Sequence, residues 1–155
     1  MLASNISSSN IASLIPTATA EWFGNLPDLL LDAELAALTR IAPSTLQWWR
    51  QSGTGPRFQR LGRLIRYPLI EVLIWINAGR VAPSAYSISP EQIAPGPLLT
   101  DVEVSAQLRI ESGTMRRWRW AGRELAYFKL GTDVVRYAQT DVNAYLTSRT
   151  LAHTN

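Results

Sequence analysis

The chain has 155 residues, a formal net charge of +3, a pI near 9.7 and 46% hydrophobic residues, which is ordinary globular composition. The absence of cysteine excludes disulfides and thiolate metal sites, and one histidine, His153, cannot build a zinc site with carboxylates that have helical roles. No apolar run is long enough to cross a bilayer and no early Lys or Arg marks a secretion signal, so a cytoplasmic protein without membrane contact is expected.

Residues 1–27 are rich in Ser, Asn, Ala and Thr and are expected to be a mobile segment, with Glu21-Trp22-Phe23 as its one docking element. A first unit is expected over 28–79. Asp32 is placed to cap a helix through Leu38, Pro43 and Ser44 start a second helix that runs to Gln51, and Gly53-Thr54-Gly55-Pro56 ends it. Leu46 and Trp49 share the core face of that second helix. The stretch from Phe58 to Tyr67 reads as two short strands turning near Gly62-Arg63, and Pro68 opens a third helix to about Asn77.

Residues 80–97 hold four prolines and read as a stiff linker, with one turn of helix at Pro90-Glu91-Gln92-Ile93. Its length suits two units that address adjacent sites, and equally two units that fold onto one another. The second unit, 98–148, repeats the order. Thr100 or Asp101 caps its first helix and Ser112 its second, Met115 and Trp118 take the core places of Leu46 and Trp49, Phe128, Leu130, Val134 and Tyr137 support a hairpin, and Val142, Tyr145 and Leu146 turn inward from a last helix. Residues 149–155 form a polar tail.

The repetition is visible residue by residue. Asp32-Ala33-Glu34-Leu35 returns as Asp101-Val102-Glu103-Val104, and Thr45-Leu46-Gln47-Trp48-Trp49-Arg50 as Thr114-Met115-Arg116-Arg117-Trp118-Arg119, at an offset of 69. The offset becomes 70 from Arg66/Arg136 and Tyr67/Tyr137 onward, so one residue is inserted near Thr132. Charge is concentrated within each copy. Positions 40–66 hold six arginines and no acid, and positions 109–123 hold five arginines and one acid, Glu111. Such fields attract polyanions, and arginine's planar fork suits phosphate and guanine.

Leu99-Thr100-Asp101-x-Glu103-Val104-Ser105, Thr114-Met115-x-x-Trp118-Arg119 and Arg136-Tyr137 with Asp141-Val142-x-x-Tyr145-Leu146 resemble the excisionase and AlpA-like DNA-binding domains related to the MerR superfamily. The matching residues of the first copy are Asp32-x-Glu34-Leu35-Ala36, Thr45-Leu46-x-x-Trp49-Arg50 and Arg66-Tyr67-Pro68 with Glu71-Val72-x-x-Trp75-Ile76. The resemblance implies a mainly α fold with small β-hairpin wings, a tandem winged helix-turn-helix, in which each second helix enters the major groove of double-stranded DNA.

On that basis the candidate contacts of the second helices are Ser44, Gln47, Trp48, Arg50 and Gln51 in the first copy and Arg116, Arg117, Arg119 and Trp120 in the second. Arg50 and Arg119 are expected at phosphates. Wing candidates are Arg57, Arg60, Arg63 and Arg66, then Lys129 and Arg136, with Asp133 repelling phosphate at the second tip. One copy is expected to read mainly by helix and the other mainly by wing, or one copy to have turned to protein contact. The functions implied are transcription regulation or excisionase-like control of recombination on a mobile element, without enzymatic activity, cofactor or metal. The alternative is a non-enzymatic winged-helix adaptor that binds protein in a replication, packaging or phage assembly complex, favoured by Trp22, Phe23, Trp48 and Trp120, or that associates with a second copy of itself through exposed tryptophans.

Overall fold

The structure, a computed structural model, describes residues 26–83 and 97–151. Glu21-Trp22-Phe23, His153 and the expected turn at 90–93 lie outside the described residues. The described chain is mainly α-helical with small antiparallel sheets. Its elements are β1 (Leu29–Leu30), α1 (Asp32–Thr39), α2 (Pro43–Ser52), β2 (Gln59–Leu61), β3 (Leu64–Pro68), α3 (Leu69–Ala78), β4 (Arg80–Val81), α4 (Asp101–Leu108), α5 (Ser112–Ala121), β5 (Tyr127–Leu130), β6 (Val134–Arg136) and α6 (Gln139–Ser148). Two three-stranded sheets run in the orders β1-β3-β2 and β4-β5-β6.

Local sequence accounts for the helix boundaries. Thr100 caps α4, its hydroxyl accepting from the Glu103 amide at 3.2 Å while the Glu103 carboxylate accepts from the Thr100 amide at 3.2 Å, a reciprocal capping box. At α1 the cap position is Leu31, which has no polar side chain, and only the returning half of that box survives: Glu34 accepts from the Leu31 amide at 3.0 Å. Asp32, expected as the cap, is already helical and is engaged elsewhere. Ser112 likewise lies one residue inside α5, with Glu111 at the cap position. Both α1 and α4 end on an arginine in the left-handed region, Arg40 (φ 58°) and Arg109 (φ 55°), where glycine is the usual choice.

Leu35, Leu46, Trp49, Tyr67, Val72 and Leu73 form the first half's core, and Val104, Met115, Tyr137 and Val142 that of the second. Met115 is fully buried as expected, Trp118 is half-buried against Tyr145, and Leu146, expected inward, is exposed. The two cores are not separate bodies. Leu98, Phe128, Leu130 and Ala138 of the second half belong to the same buried cluster as Leu38, Trp49, Leu69, Leu73 and Ile76 of the first. Burying Phe128 and Leu130 contributes about 1.5–3 kcal/mol each.

Directly opposed residues of a hairpin share a face, so Phe128 and Arg136, and Leu130 and Val134, stand on one side of β5–β6. That side is turned into the first half. The linker's opening residues contribute too: Arg80 and Val81, expected as loop, pair as β4 with Phe128 and Tyr127 of β5. At two close approaches a side chain has no room. A β-carbon on Gly79 would collide with the Lys129 carbonyl, whose own amide donates to Gly79 O at 2.7 Å, and one on Gly131 would collide with the Trp49 ring.

Polar contacts complete the junction. The last carbonyls of α1, left without intrahelical donors, are supplied by the second half: Leu98 N–H donates to Leu38 O at 2.8 Å, and Arg136 donates to Thr39 O at 2.9 Å and Arg40 O at 2.8 Å. A cation at a helix C-terminus also complements the helix dipole. Arg80 forms a bidentate pair with Asp141 at 2.7 and 2.8 Å, with both side chains nearly removed from water. The linker thus joins halves that are folded onto one another.

Candidate nucleic-acid interface

Helix α2 buries Leu46 and Trp49 and turns Ser44, Gln47, Trp48 and Gln51 to solvent, a spacing of three, four and seven residues that makes one stripe. Helix α5 exposes Gly113, Arg116, Arg117 and Trp120 at the same register. Every candidate reader therefore lies on an exposed face, and the two faces occupy equivalent places in the two halves. Each carries one outward tryptophan at a different position, Trp48 with 55% and Trp120 with 92% of its surface exposed. A helix that presents such a stripe fits the width of the major groove.

Arg50 and Arg119 depart from expectation. Arg50 donates to Asp32 at 2.6 Å and to the Tyr67 hydroxyl at 2.6 Å, and Arg119 makes the same pair of bonds to Asp101, at 2.7 Å, and Tyr137. Each guanidinium therefore ties its second helix to the first helix and to a tyrosine of the hairpin's return, Tyr67 within β3 and Tyr137 just after β6. Charge-assisted bonds of this kind hold a rotamer firmly. The aspartates that the sequence suggested as helix caps are spent here.

These clamps leave a mark on the tyrosines. Burial, and secondarily the Asp101 carboxylate, push the Tyr137 hydroxyl well above its ordinary value of 10.0, with Arg119 opposing. Burial also raises Tyr67, with Arg50 opposing. The folded chain thus keeps two protons that the unfolded chain releases near pH 10. Stability is expected to be level below that pH and to fall as pH rises through the raised values. Denaturant titration between pH 8 and 11 checks this: Y67F/Y137F should show a shallower alkaline decline than the parent chain.

The two hairpins differ in availability. Arg57, Arg60 and Arg63 are exposed around β2–β3, and Arg66 is half-buried with one nitrogen on Ile65 O at 2.7 Å. Gln47, Arg50, Gln51, Arg60 and Ile65 line an open groove between α2 and this hairpin. In the second hairpin Lys129 is exposed, whereas the Arg136 guanidinium donates to the carbonyls of Thr39 and Arg40 and to Val135 O at 2.7 Å. Arg136 is therefore a joint between the halves. Arg109, not among the sequence candidates, is exposed in the turn that leads into α5. Its correspondence to Arg40 was visible in the repeat, but Arg40 is paired with Glu103 at 3.3 Å.

Among the described residues no group of histidine and carboxylate side chains is arranged to hold a metal ion, and no helix is long and apolar enough to cross a membrane. Residues 32–80 match a family model described as a helix-turn-helix domain. Neither the curated proteins nor the solved structures yielded a match to the chain. The matched segment contains α1, α2, the first hairpin and α3, and so the chain carries a helix-turn-helix domain of the DNA-binding kind, with α2 as its second helix.

Proposed function

We propose that the chain is a sequence-specific double-stranded DNA-binding protein, a cytoplasmic, non-enzymatic transcription regulator or excisionase-like directionality factor of a mobile element. Residues 98–148 act as a second winged helix-turn-helix derived by duplication from the first. The observation that carries this reading is the pair of equivalent solvent-facing stripes, Ser44/Gln47/Trp48/Gln51 and Gly113/Arg116/Arg117/Trp120. In the first half α2 reads base edges, and the phosphate backbone passes through the groove beside Arg60. In the second half α5 supplies the contacts.

The shared core changes what two copies accomplish. A flexible tether would tolerate many half-site spacings, whereas halves joined through Leu98, Phe128, Leu130 and Arg136 hold their stripes at one relative placement. One spacing of half-sites should therefore be favoured. Selection of bound duplexes from a random-sequence pool, followed by titration of the winners at several salt concentrations, tests the reading. Enriched sequences with two blocks at fixed separation, bound with a linear fall of log K against log salt, are expected. No enrichment at any salt concentration would remove the proposal. The exposure of Trp120 favours a second reading, an adaptor with a protein partner, which predicts stoichiometric co-purification of that partner from nuclease-treated extract.

A further inference from the structure

The outer face of the second hairpin is filled: Phe128, Leu130 and Arg136 are sunk in the junction, with Val134 packed against it. The equivalent face of the first hairpin presents Gln59, Leu61, Leu64 and Arg66, and its leucines are uncovered, 48% and 55% exposed. Leu61 and Leu64 are directly opposed at the end of the ladder, flanking the Gly62-Arg63 turn, so their side chains form one apolar knob at the tip. Exposed leucine pairs at the end of a two-stranded ribbon need a reason.

A second copy of the chain does not fit this tip. By the repeat, its seat would be the surface of the second half equivalent to the one that receives Leu130. There Leu38, Leu69 and Leu73 of the shared core are replaced by Gln107, Gln139 and Asn143. These amides bond to one another at 2.7, 2.9 and 3.1 Å, a polar cap that ends the stacking of units after two. The surroundings of the tip favour a polyanion instead. Arg57, Arg60, Arg63 and Arg66 lie within ten residues, and that stretch contains no acid.

Resting on the DNA-binding reading, we propose that Leu61 and Leu64 form a wedge that enters the minor groove beside the helix site and partly unstacks one base step, bending the duplex. The four arginines hold the flanking phosphates while the leucines fill the opened step. Apolar side chains inserted in this manner kink DNA toward the major groove, most readily at pyrimidine–purine steps. The second hairpin has no such function because its equivalent residues are committed to the core.

The test uses a selected duplex carrying donor and acceptor dyes at its ends and 2-aminopurine at the candidate step. The parent chain should shorten the end-to-end distance and brighten the 2-aminopurine. L61S/L64S, whose side chains are exposed and whose fold should be unchanged by circular dichroism, should still bind within about tenfold of the parent while losing both signals. Equal bending by parent and variant overturns the wedge and leaves the DNA-binding reading standing. So does a parent chain that sediments as a dimer and becomes a monomer on L61S/L64S substitution. Failure of any duplex to bind would overturn the DNA-binding reading itself.

Discussion

Arg80→Ala is expected to cost about 3–5 kcal/mol of folding stability, more than any other single ion-pair substitution among the described residues. The Asp141 carboxylate is 2% exposed and receives both terminal nitrogens of Arg80, which also lies over the Phe128 ring at 5.4 Å. Alanine removes the bidentate partner from a carboxylate that has already lost its hydration, and it strips the aliphatic stem from the edge of the junction. Arg149→Ala provides the contrast. It removes a pair of similar length, 2.9 Å to Glu124, but the Arg149 side chain is 62% exposed, so the change should stay within about 1 kcal/mol. Urea unfolding of the three proteins measures both. The parent and Arg80→Ala should each unfold in one transition, because Phe128 and Leu130 belong to the first half's core. A parent chain that unfolds in two steps, with Arg80→Ala altering only one, would mean that the junction is not cooperative.

The elements were legible and the junction was not, for a physical reason. Helix order, the turn at Gly62-Arg63 and the inward faces of Leu46, Trp49 and Met115 follow from local spacing and capping, which one segment contains within itself. Equivalence between copies says nothing about how they pack. What encodes the packing is the difference between them: Phe128 where the first copy has Gln59, and Leu38, Leu69 and Leu73 where the second has Gln107, Gln139 and Asn143. A repeat read for its agreements hides that signal, and the same repeat read for its disagreements exposes one apolar face on each half.

The candidate site divides along the same line. The outward positions of α2 and α5 are local helical geometry and were legible. The fates of Arg50, Arg119 and Arg136 were not, because an arginine beside a helix suits a phosphate, a carboxylate or a helix C-terminus equally well. Only tertiary structure brings Asp32, Asp101 and the α1 carbonyls into reach. Among the described residues five arginines are ion-paired and Arg136 is bonded to carbonyls, so the basic surface open to a ligand is smaller and more localised than composition suggests.

This localisation sets the second large prediction: R116A/R117A should weaken binding of a selected duplex by about a hundredfold or more, each contact being worth about 1–3 kcal/mol. The outer face of the second hairpin is committed to the core and Arg119 is held by Asp101 and Tyr137, so Arg116 and Arg117 are the cations on the outward stripe of α5, with Arg109, Arg123 and Lys129 exposed around it. Both side chains are exposed, and the folded state should be indifferent to their loss. Arg119→Ala should behave differently, lowering stability by releasing α5 from α4 and from Tyr137 after β6, and affecting binding through misplacement of the helix. The salt dependence separates the roles within the pair. An arginine on a phosphate should flatten the slope of log K against log salt by about one unit when removed, whereas one on a base edge should also relax sequence preference at a single position. Unchanged affinity of folded R116A/R117A, at every salt concentration, would place the second half away from the duplex and leave the first half as the only reader.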